Sequence, residues 1–63
     1  MRTIKYSYTH NYKCIYARDH VGLLAQIIRN DDTKECYIKM VKGIGQSHYE
    51  KTLKDAKRYL ENL

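Results

Sequence analysis

Hydrophobic and polar residues follow two different periods along the chain. Residues 23–29 and 34–42 are rich in β-branched and aromatic side chains, and the NDDT segment at 30–33 joins them. Asn, Asp and Thr favour turns by bonding their own backbone, so these two runs predict a β-hairpin. Residues 12–17 predict a further strand upstream. Residues 2–8 predict either a separate edge strand or the front half of a long first strand.

Strand alternation divides the side chains of the predicted hairpin between two faces of a sheet. One face is wholly apolar and predicts the core, and it consists of Leu23, Ala25, Ile27, Cys36, Ile38 and Met40. The other face is mixed and consists of Leu24, Gln26, Ile28, Tyr37, Lys39 and Val41. Because a Tyr and a Lys stand among aliphatic side chains on the mixed face, we expect a partner to contact that face.

A helical period replaces the alternation after Gly45. The apolar residues of this segment recur at spacings of three and four, which predicts an amphipathic helix: Tyr49, Leu53, Ala56, Leu60 and Leu63. Ser47 is followed three residues later by Glu50, the spacing of a capping box at a helix start. We therefore expect the helix to begin directly after Ser47, with Tyr49 in the core.

A sheet with one apolar face and a helix with one apolar stripe predict a single two-layer domain over residues 1–63. The expected fold class is α+β, with a small antiparallel sheet packed on one carboxy-terminal helix (β-β-β-α). The sheet has three strands, or four if residues 2–8 pair separately. A domain of this size buries only about 60% of the surface that its unfolded chain exposes. A homodimer that completes the core is therefore kept as an alternative to a monomer.

The charge balance favours acidic partners. Twelve Lys and Arg residues against seven Asp and Glu residues give a net charge of +5, which suits nucleic acid or an acidic protein surface. No apolar run approaches the roughly 20 residues of a membrane span, and the amino terminus has no signal-peptide pattern. Two cysteines are too few for a disulfide framework. These patterns predict a cytoplasmic protein with reduced thiols and no membrane contact.

Gly43 and Gly45 raise the question of a phosphate-binding loop. A P-loop requires Lys and then Ser or Thr directly after its second glycine, whereas this chain continues Gln46-Ser47. We interpret the glycines as permissive positions between a strand and the last helix. An anion can still contact a helix amino terminus through its free N–H groups, which makes Ser47 and His48 candidate phosphate contacts.

Residue types that could support metal binding or catalysis are scattered. Zinc-ligand types occur at Cys14, His20, Cys36 and His48, but no closely spaced ligand pair brings two of them together. Asp19-His20 could act as an acid–base pair and Cys14 as a nucleophile, yet both need a pocket that a chain this short hardly encloses. We predict a non-enzyme without catalytic residues, metal or cofactor.

All seven aromatic residues are tyrosines. A Tyr ring tolerates half burial, is common in binding hot spots and can stack on exposed bases. Tyrosines alternate with basic residues along the predicted strands, which indicates a binding surface. Its candidate residues are Lys13, Tyr16, Gln26, Ile28, Tyr37, Lys39 and Lys42.

The order of features from residue 12 to residue 63 resembles the arm-site-binding amino-terminal domain of tyrosine recombinases. The matching stretches are Asp32-Thr33-Lys34, Lys42-Gly43 and Thr52-Leu53-Lys54-Asp55-Ala56-Lys57. In that family a three-stranded sheet enters the DNA major groove while the helix backs it. The resemblance implies that Lys39, Tyr37, Gln26 and Lys13 lie near DNA. Size and pattern also resemble small proteins of phages and mobile elements.

Two functions follow as hypotheses. The first is a nucleic-acid-binding accessory or regulatory protein of phage or mobile-element type, which contacts phosphates through sheet lysines and arginines. The second is a phage-type inhibitor, similar to an anti-CRISPR, that binds a host nucleic-acid-processing protein. Leu24, Ile28 and Val41 favour the second, because protein interfaces have apolar centres with aromatic anchors.

Overall fold

Five β-strands and one α-helix make up the computed structural model, which describes residues 2–9, 11, 13–41, 43 and 45–63. The elements are β1 (Lys5–Tyr8), β2 (Cys14–Arg18), β3 (Leu23–Arg29), β4 (Cys36–Met40), β5 (His48–Glu50) and α1 (Leu53–Glu61). The strands form one antiparallel sheet in the order β1-β2-β3-β4-β5. The α+β class with a carboxy-terminal helix is confirmed, whereas the expected number of three or four strands is wrong.

The predicted hairpin is β3 and β4. The bounds of β3 agree with the expected 23–29, and β4 is shorter than the expected 34–42. The turn between them forms as its polar residues predict, because Asn30 Oδ1 accepts hydrogen bonds from the backbone N–H groups of Asp32 (2.9 Å) and Thr33 (3.2 Å). β2 begins at Cys14, and Tyr12 lies outside the described residues.

The core lies between the sheet and α1. Its fully buried members are Ile15, Ala17, Leu24, Ala25, Ile27, Cys36, Ile38, Ala56 and Leu60. The helical stripe is confirmed from Leu53 onward, because Leu53 and Leu63 pack against the core cluster that contains Ala56 and Leu60. Of the predicted sheet core, Met40 is half-buried, and Ala25, Ile27, Cys36 and Ile38 are fully buried. The assignment of Leu23 to this face is wrong, because Leu23 is opposite Arg18 in the ladder and lies on the other side of the sheet. No helix among the described residues is long and apolar enough to cross a membrane.

Strand β1 is attached to α1 by two tyrosines on the helix side of the sheet. Tyr6 Oη donates a hydrogen bond to Glu61 Oε2 at 2.9 Å, and Lys57 Nζ donates one to Tyr8 Oη at 2.7 Å. Burial, and then the bond to Glu61, raise the pKa of the Tyr6 hydroxyl, which therefore stays protonated. These contacts hold the edge strand against the helix.

Simple alternation predicts that Leu24 lies on the mixed face, and this prediction is wrong. The structure buries it completely. The reason is a β-bulge: Ala17 is opposite Ala25 and Arg18 is opposite Leu23, so Leu24 is an extra residue in β3. A bulge re-aims a side chain, and here it adds Leu24 to the core cluster.

The expected helix start at Ser47 is wrong. Residues 48–50 form β5, and α1 begins at Leu53 with Thr52 as its N-cap, whose Oγ1 accepts a bond from the Asp55 N–H at 3.1 Å. The local capping pattern at Ser47 is overridden because pairing with β4 satisfies the backbone groups of residues 48–50. Ser47 Oγ instead accepts a hydrogen bond from the Met40 N–H at 3.0 Å.

This change also corrects two further expectations. Tyr49 is 65% exposed and does not belong to the core. Ser47 and His48 do not lie at the amino terminus of α1, so the predicted anion contact at that position has no basis. Gly45 has a packing role, because a Cβ atom there would lie 2.8 Å from Tyr59 Oη.

Candidate functional site

The sheet has one side that α1 does not cover, and we call this side the open face. Pairing register and strand alternation place on it Lys5, Ser7, Cys14, Tyr16, Arg18, Leu23, Gln26, Ile28, Tyr37, Lys39 and Tyr49. None of these side chains is fully buried. The open face is therefore a continuous surface that spans all five strands.

Cross-strand pairing arranges most of the open face in two rows. The first row crosses four strands through Ser7, Tyr16, Gln26 and Lys39. The second row crosses four strands through Cys14, Ile28, Tyr37 and Tyr49. Neighbouring strands lie about 4.8 Å apart, so each row is a line of side chains in reach of an extended ligand.

Three tyrosine rings lie on the open face. The rings of Tyr37 and Tyr49 are in contact, with their centroids 4.8 Å apart and their planes tilted by 52°. Tyr16 lies beneath the Arg18 guanidinium, whose Cζ is 5.7 Å from the ring centroid. Tyr49 is largely exposed, which leaves aromatic surface free for stacking by a planar ligand.

The charged side chains of the open face are all basic. They are Lys5, Arg18 and Lys39, and no Asp or Glu occupies one of its strand positions. Lys5 is directly opposite Arg18 in the ladder, where like charges destabilise a sheet. No carboxylate among the described residues forms an ion pair with any of the three. The strand positions of the open face therefore carry a net positive charge.

A small polar cluster lies at the centre of the open face. Gln26 Nε2 donates a hydrogen bond to Cys14 Sγ at 2.8 Å. A hydrogen bond with Cys14 raises the pKa of the Tyr16 hydroxyl, which therefore remains a neutral donor at physiological pH. Cys14 and the buried Cys36 are both free thiols, and they lie on opposite sides of the sheet.

The structure brings together five of the residues predicted as a binding surface. Those on the open face are Tyr16, Gln26, Ile28, Tyr37 and Lys39. Lys13 precedes β2, and its Nζ pairs with Asp31 Oδ2 at 3.4 Å. His48 shares the α1 side of the sheet with its partner Ile38. Lys42 lies outside the described residues.

The candidate residues of the predicted binding surface did not include Lys5, Arg18 or Tyr49, although Lys5 and Arg18 are among the basic residues that alternate with tyrosines along the strands. The alternation that places Tyr16 on the open face also places Arg18 there, so this signal was present in the sequence. Lys5 reaches the site only through the pairing of β1 with β2. Tyr49 had no local signal, because its helical spacing from Leu53 pointed to the core.

His48 connects β5 to the rest of the molecule on the helix side. Its Nδ1 lies 2.7 Å from the Gln46 carbonyl oxygen and its Nε2 lies 2.6 Å from Glu50 Oε2. Its ring also meets the Tyr59 ring edge to face, with centroids 4.3 Å apart. Both ring nitrogens thus face acceptors, and only the imidazolium donates to both. The bond to the Gln46 carbonyl, and then that to Glu50, raise the pKa of His48.

The His48 contacts predict a pH-dependent stability. Because the folded-state pKa lies above the usual 6.5, the stabilisation is complete below pH 6.5 and is lost as the pH rises through the folded-state value. The loss is below about 1 kcal/mol, because the pair is partly exposed. Urea unfolding on both sides of this window measures it. The variant His48→Gln is the control, and an equal pH response in the variant would contradict the assignment.

The described part of the chain offers no group of three or more His, Cys, Asp or Glu side chains arranged to hold a metal ion. The open face instead presents aromatic rings, an amide, hydroxyls and cationic groups. Comparisons with protein-family models, curated proteins and solved structures find no match, so this geometry is the basis for interpreting the site.

Proposed function

We propose that the protein binds nucleic acid through the open face, as a non-enzymatic accessory or regulatory protein of phage or mobile-element type. The observation that carries the proposal is the composition of this face, which combines three tyrosines and three basic residues with no carboxylate at its strand positions. The net charge of +5 supports the same ligand class.

Single strands are the preferred ligand in this proposal. Bases stack on aromatic side chains only when their own faces are unpaired, and each such stack contributes about 1–3 kcal/mol. The Tyr37–Tyr49 pair lies in the same row as Ile28, and Lys39 lies in the adjacent row. An extended single strand of nucleic acid can therefore place bases on the two tyrosine rings and a phosphate near Lys39. The resemblance to arm-site-binding domains implies duplex binding by the same face, which makes duplex DNA the main comparison.

A salt titration tests the proposal. Fluorescence anisotropy would measure the affinity for single-stranded DNA, RNA and duplex DNA of about 15 nucleotides, between about 50 and 200 mM salt. We expect affinity to fall as salt rises, and Lys39→Gln to reduce the log–log slope for single strands by about 0.7. Lys54→Gln on α1 is the matched control and should leave the slope unchanged. Salt-independent affinity, or no binding at low salt, would overturn the proposal.

A second candidate function is inhibition of a host nucleic-acid-processing protein. The observation that favours it is apolar exposure, because Ile28 is 41% and Val41 54% exposed. Ile28 lies beside Tyr37 in one row, which gives an apolar centre with an aromatic anchor. Affinity capture after nuclease treatment separates this function from the first. Capture that persists without nucleic acid and is lost in Ile28→Ala would support it, whereas capture lost on nuclease treatment would count against it.

A further inference from the structure

A cleft of about 860 Å³ lies at the end of the sheet where β1 and β2 meet the last described residue, Leu63. Its charged lining consists of Arg2, Lys5, Arg18 and Asp19. Thr3 and Ser7 add hydroxyl groups to this lining. The volume falls within the range of about 300–1,000 Å³ that is typical of small-molecule sites. The cleft is therefore large enough for a ligand of nucleotide size.

The Asp19 carboxylate in the cleft already accepts hydrogen bonds from protein groups. Asp19 has a side chain only 2% exposed, and its Oδ2 accepts from Arg2 Nη1 at 2.9 Å. Its Oδ1 accepts from the backbone N–H groups of Val21 at 2.9 Å and Gly22 at 3.1 Å. Asp19 thus fixes Arg2 and the turn after β2, and no ion pair among the described residues involves Lys5 or Arg18.

Lys5 and Arg18 face each other across the β1–β2 ladder. A directly opposed pair of like charges is unfavourable in a sheet, and an anion bound between them would remove the repulsion. Arg18 Nη1 donates a hydrogen bond to Ser7 Oγ at 3.3 Å, which positions the guanidinium along β1. Both residues are exposed and can reach a ligand in the cleft.

Arg2 is only partly satisfied by its protein partners. Its Nη2 is 3.5 Å from the Leu63 carbonyl oxygen, at the limit of a hydrogen bond. Its Nε is buried and has no hydrogen-bond partner among the described residues. The buried Nε cannot reach a ligand, so Arg2 contributes to the cleft only through the Nη groups of a side chain that is 27% exposed.

We propose that this cleft is a phosphate-binding site. Guanidinium groups bind phosphate oxygens in a bidentate manner, an ammonium adds a point charge, and hydroxyls donate further bonds. Lys5, Ser7 and Arg18 are also part of the open face, so the cleft continues the surface that we propose binds nucleic acid. For a phosphate of a nucleic-acid strand, this inference rests on the proposed function. The phosphate then belongs to a nucleic-acid strand that runs from the tyrosines into the cleft. A free nucleotide carries the same chemical group.

NMR titration of the wild-type chain tests the site. The probes are inorganic phosphate, adenosine monophosphate and single-stranded oligonucleotides with and without a 5′-phosphate. We expect the amide signals of Lys5, Arg18 and Asp19 to shift with the first two probes and with the oligonucleotides. The double variant Lys5→Gln/Arg18→Gln should weaken phosphate binding by about tenfold or more, because charge-assisted hydrogen bonds are lost. Lys54→Gln is the matched control, and the dispersion of the amide spectrum checks folding.

The outcomes of this titration distinguish a strand phosphate from a free nucleotide. They also distinguish failure of the cleft proposal from failure of nucleic-acid binding by the open face. Tighter binding of the 5′-phosphorylated strand, abolished in the double variant, assigns the cleft to a strand terminus. A response to nucleotide but to no oligonucleotide supports the cleft and overturns nucleic-acid binding by the open face. Oligonucleotide binding that the double variant leaves unchanged, with no shifts at the cleft, overturns the cleft and keeps the proposed function. No response to any probe overturns both.

Discussion

Replacing Tyr37 and Tyr49 together with Ala is expected to lower the affinity for single-stranded oligonucleotides by about 10- to 100-fold. The two rings are in contact on the open face, and removing both eliminates the stacking surface at that edge of the sheet. The folded state should persist, because Tyr49 is 65% exposed and the half-buried Tyr37 is not part of the core cluster. Fluorescence anisotropy measures the affinity, and thermal unfolding checks that the fold persists.

The variant Tyr37→Phe/Tyr49→Phe is the matched control for the aromatic pair. It keeps both rings and removes only the hydroxyl groups, so stacking predicts an affinity close to that of the wild type. An equal loss in the Phe variant would assign the contact to the hydroxyls. Unchanged affinity in the Ala variant would show that the tyrosines do not contact the ligand.

The variant Leu24→Ala is expected to destabilise the protein by about 2–5 kcal/mol, the range for truncating a fully buried leucine. Leu24 is completely buried because the bulge in β3 adds it to the core. A domain of this length has a total stability of about 3–9 kcal/mol at 0.05–0.15 kcal/mol per residue. The substitution therefore removes a large share of the stability, and urea unfolding measures it.

Ile28→Ala is the control for this substitution. Ile28 lies in the same strand, and simple alternation assigns it to the same face as Leu24, but it is 41% exposed. Its truncation should cost less than about 1 kcal/mol, because surface substitutions usually have small effects. Equal losses for the two variants would mean that the bulge does not bury Leu24.

The hairpin was predictable because its pattern is local. The alternation of residues 23–41 identified the buried side chains Ala25, Ile27, Cys36 and Ile38, and the same period placed Tyr37 and Lys39 on the opposite side. Leu24 broke the pattern because a bulge depends on how β3 pairs with β2. No feature of the β3 sequence marks the extra residue.

The segment from Ser47 to Thr52 was misread because two structures suit it locally. Ser47 and Glu50 have the spacing of a capping box, and Tyr49 has helical spacing from Leu53. Residues 48–50 form a strand because they pair with β4. This pairing is a contact between distant segments, and local sequence patterns do not show it. Helix α1 then starts at the next available cap, Thr52.

About half of the candidate site was predictable for the same reason. The hairpin residues Gln26, Ile28 and Lys39 follow from one period of two. Lys5 and Tyr49 join the site only through the edge strands β1 and β5, whose pairing partners cannot be read from their own short sequences. The cleft needs Arg2 and Leu63 in one place, which depends on the whole fold.

Every strand pairs with the strand that directly precedes or follows it along the chain. Such a meander forms by successive hairpins, so little entropy is lost in closing long loops and the sheet can assemble rapidly. The middle strands are held from both sides, whereas the three-residue β5 is held by one neighbour and α1. We expect amide exchange to be faster at β5 than in the middle strands, so the edge that carries Tyr49 can adjust to a bound ligand while the centre stays rigid.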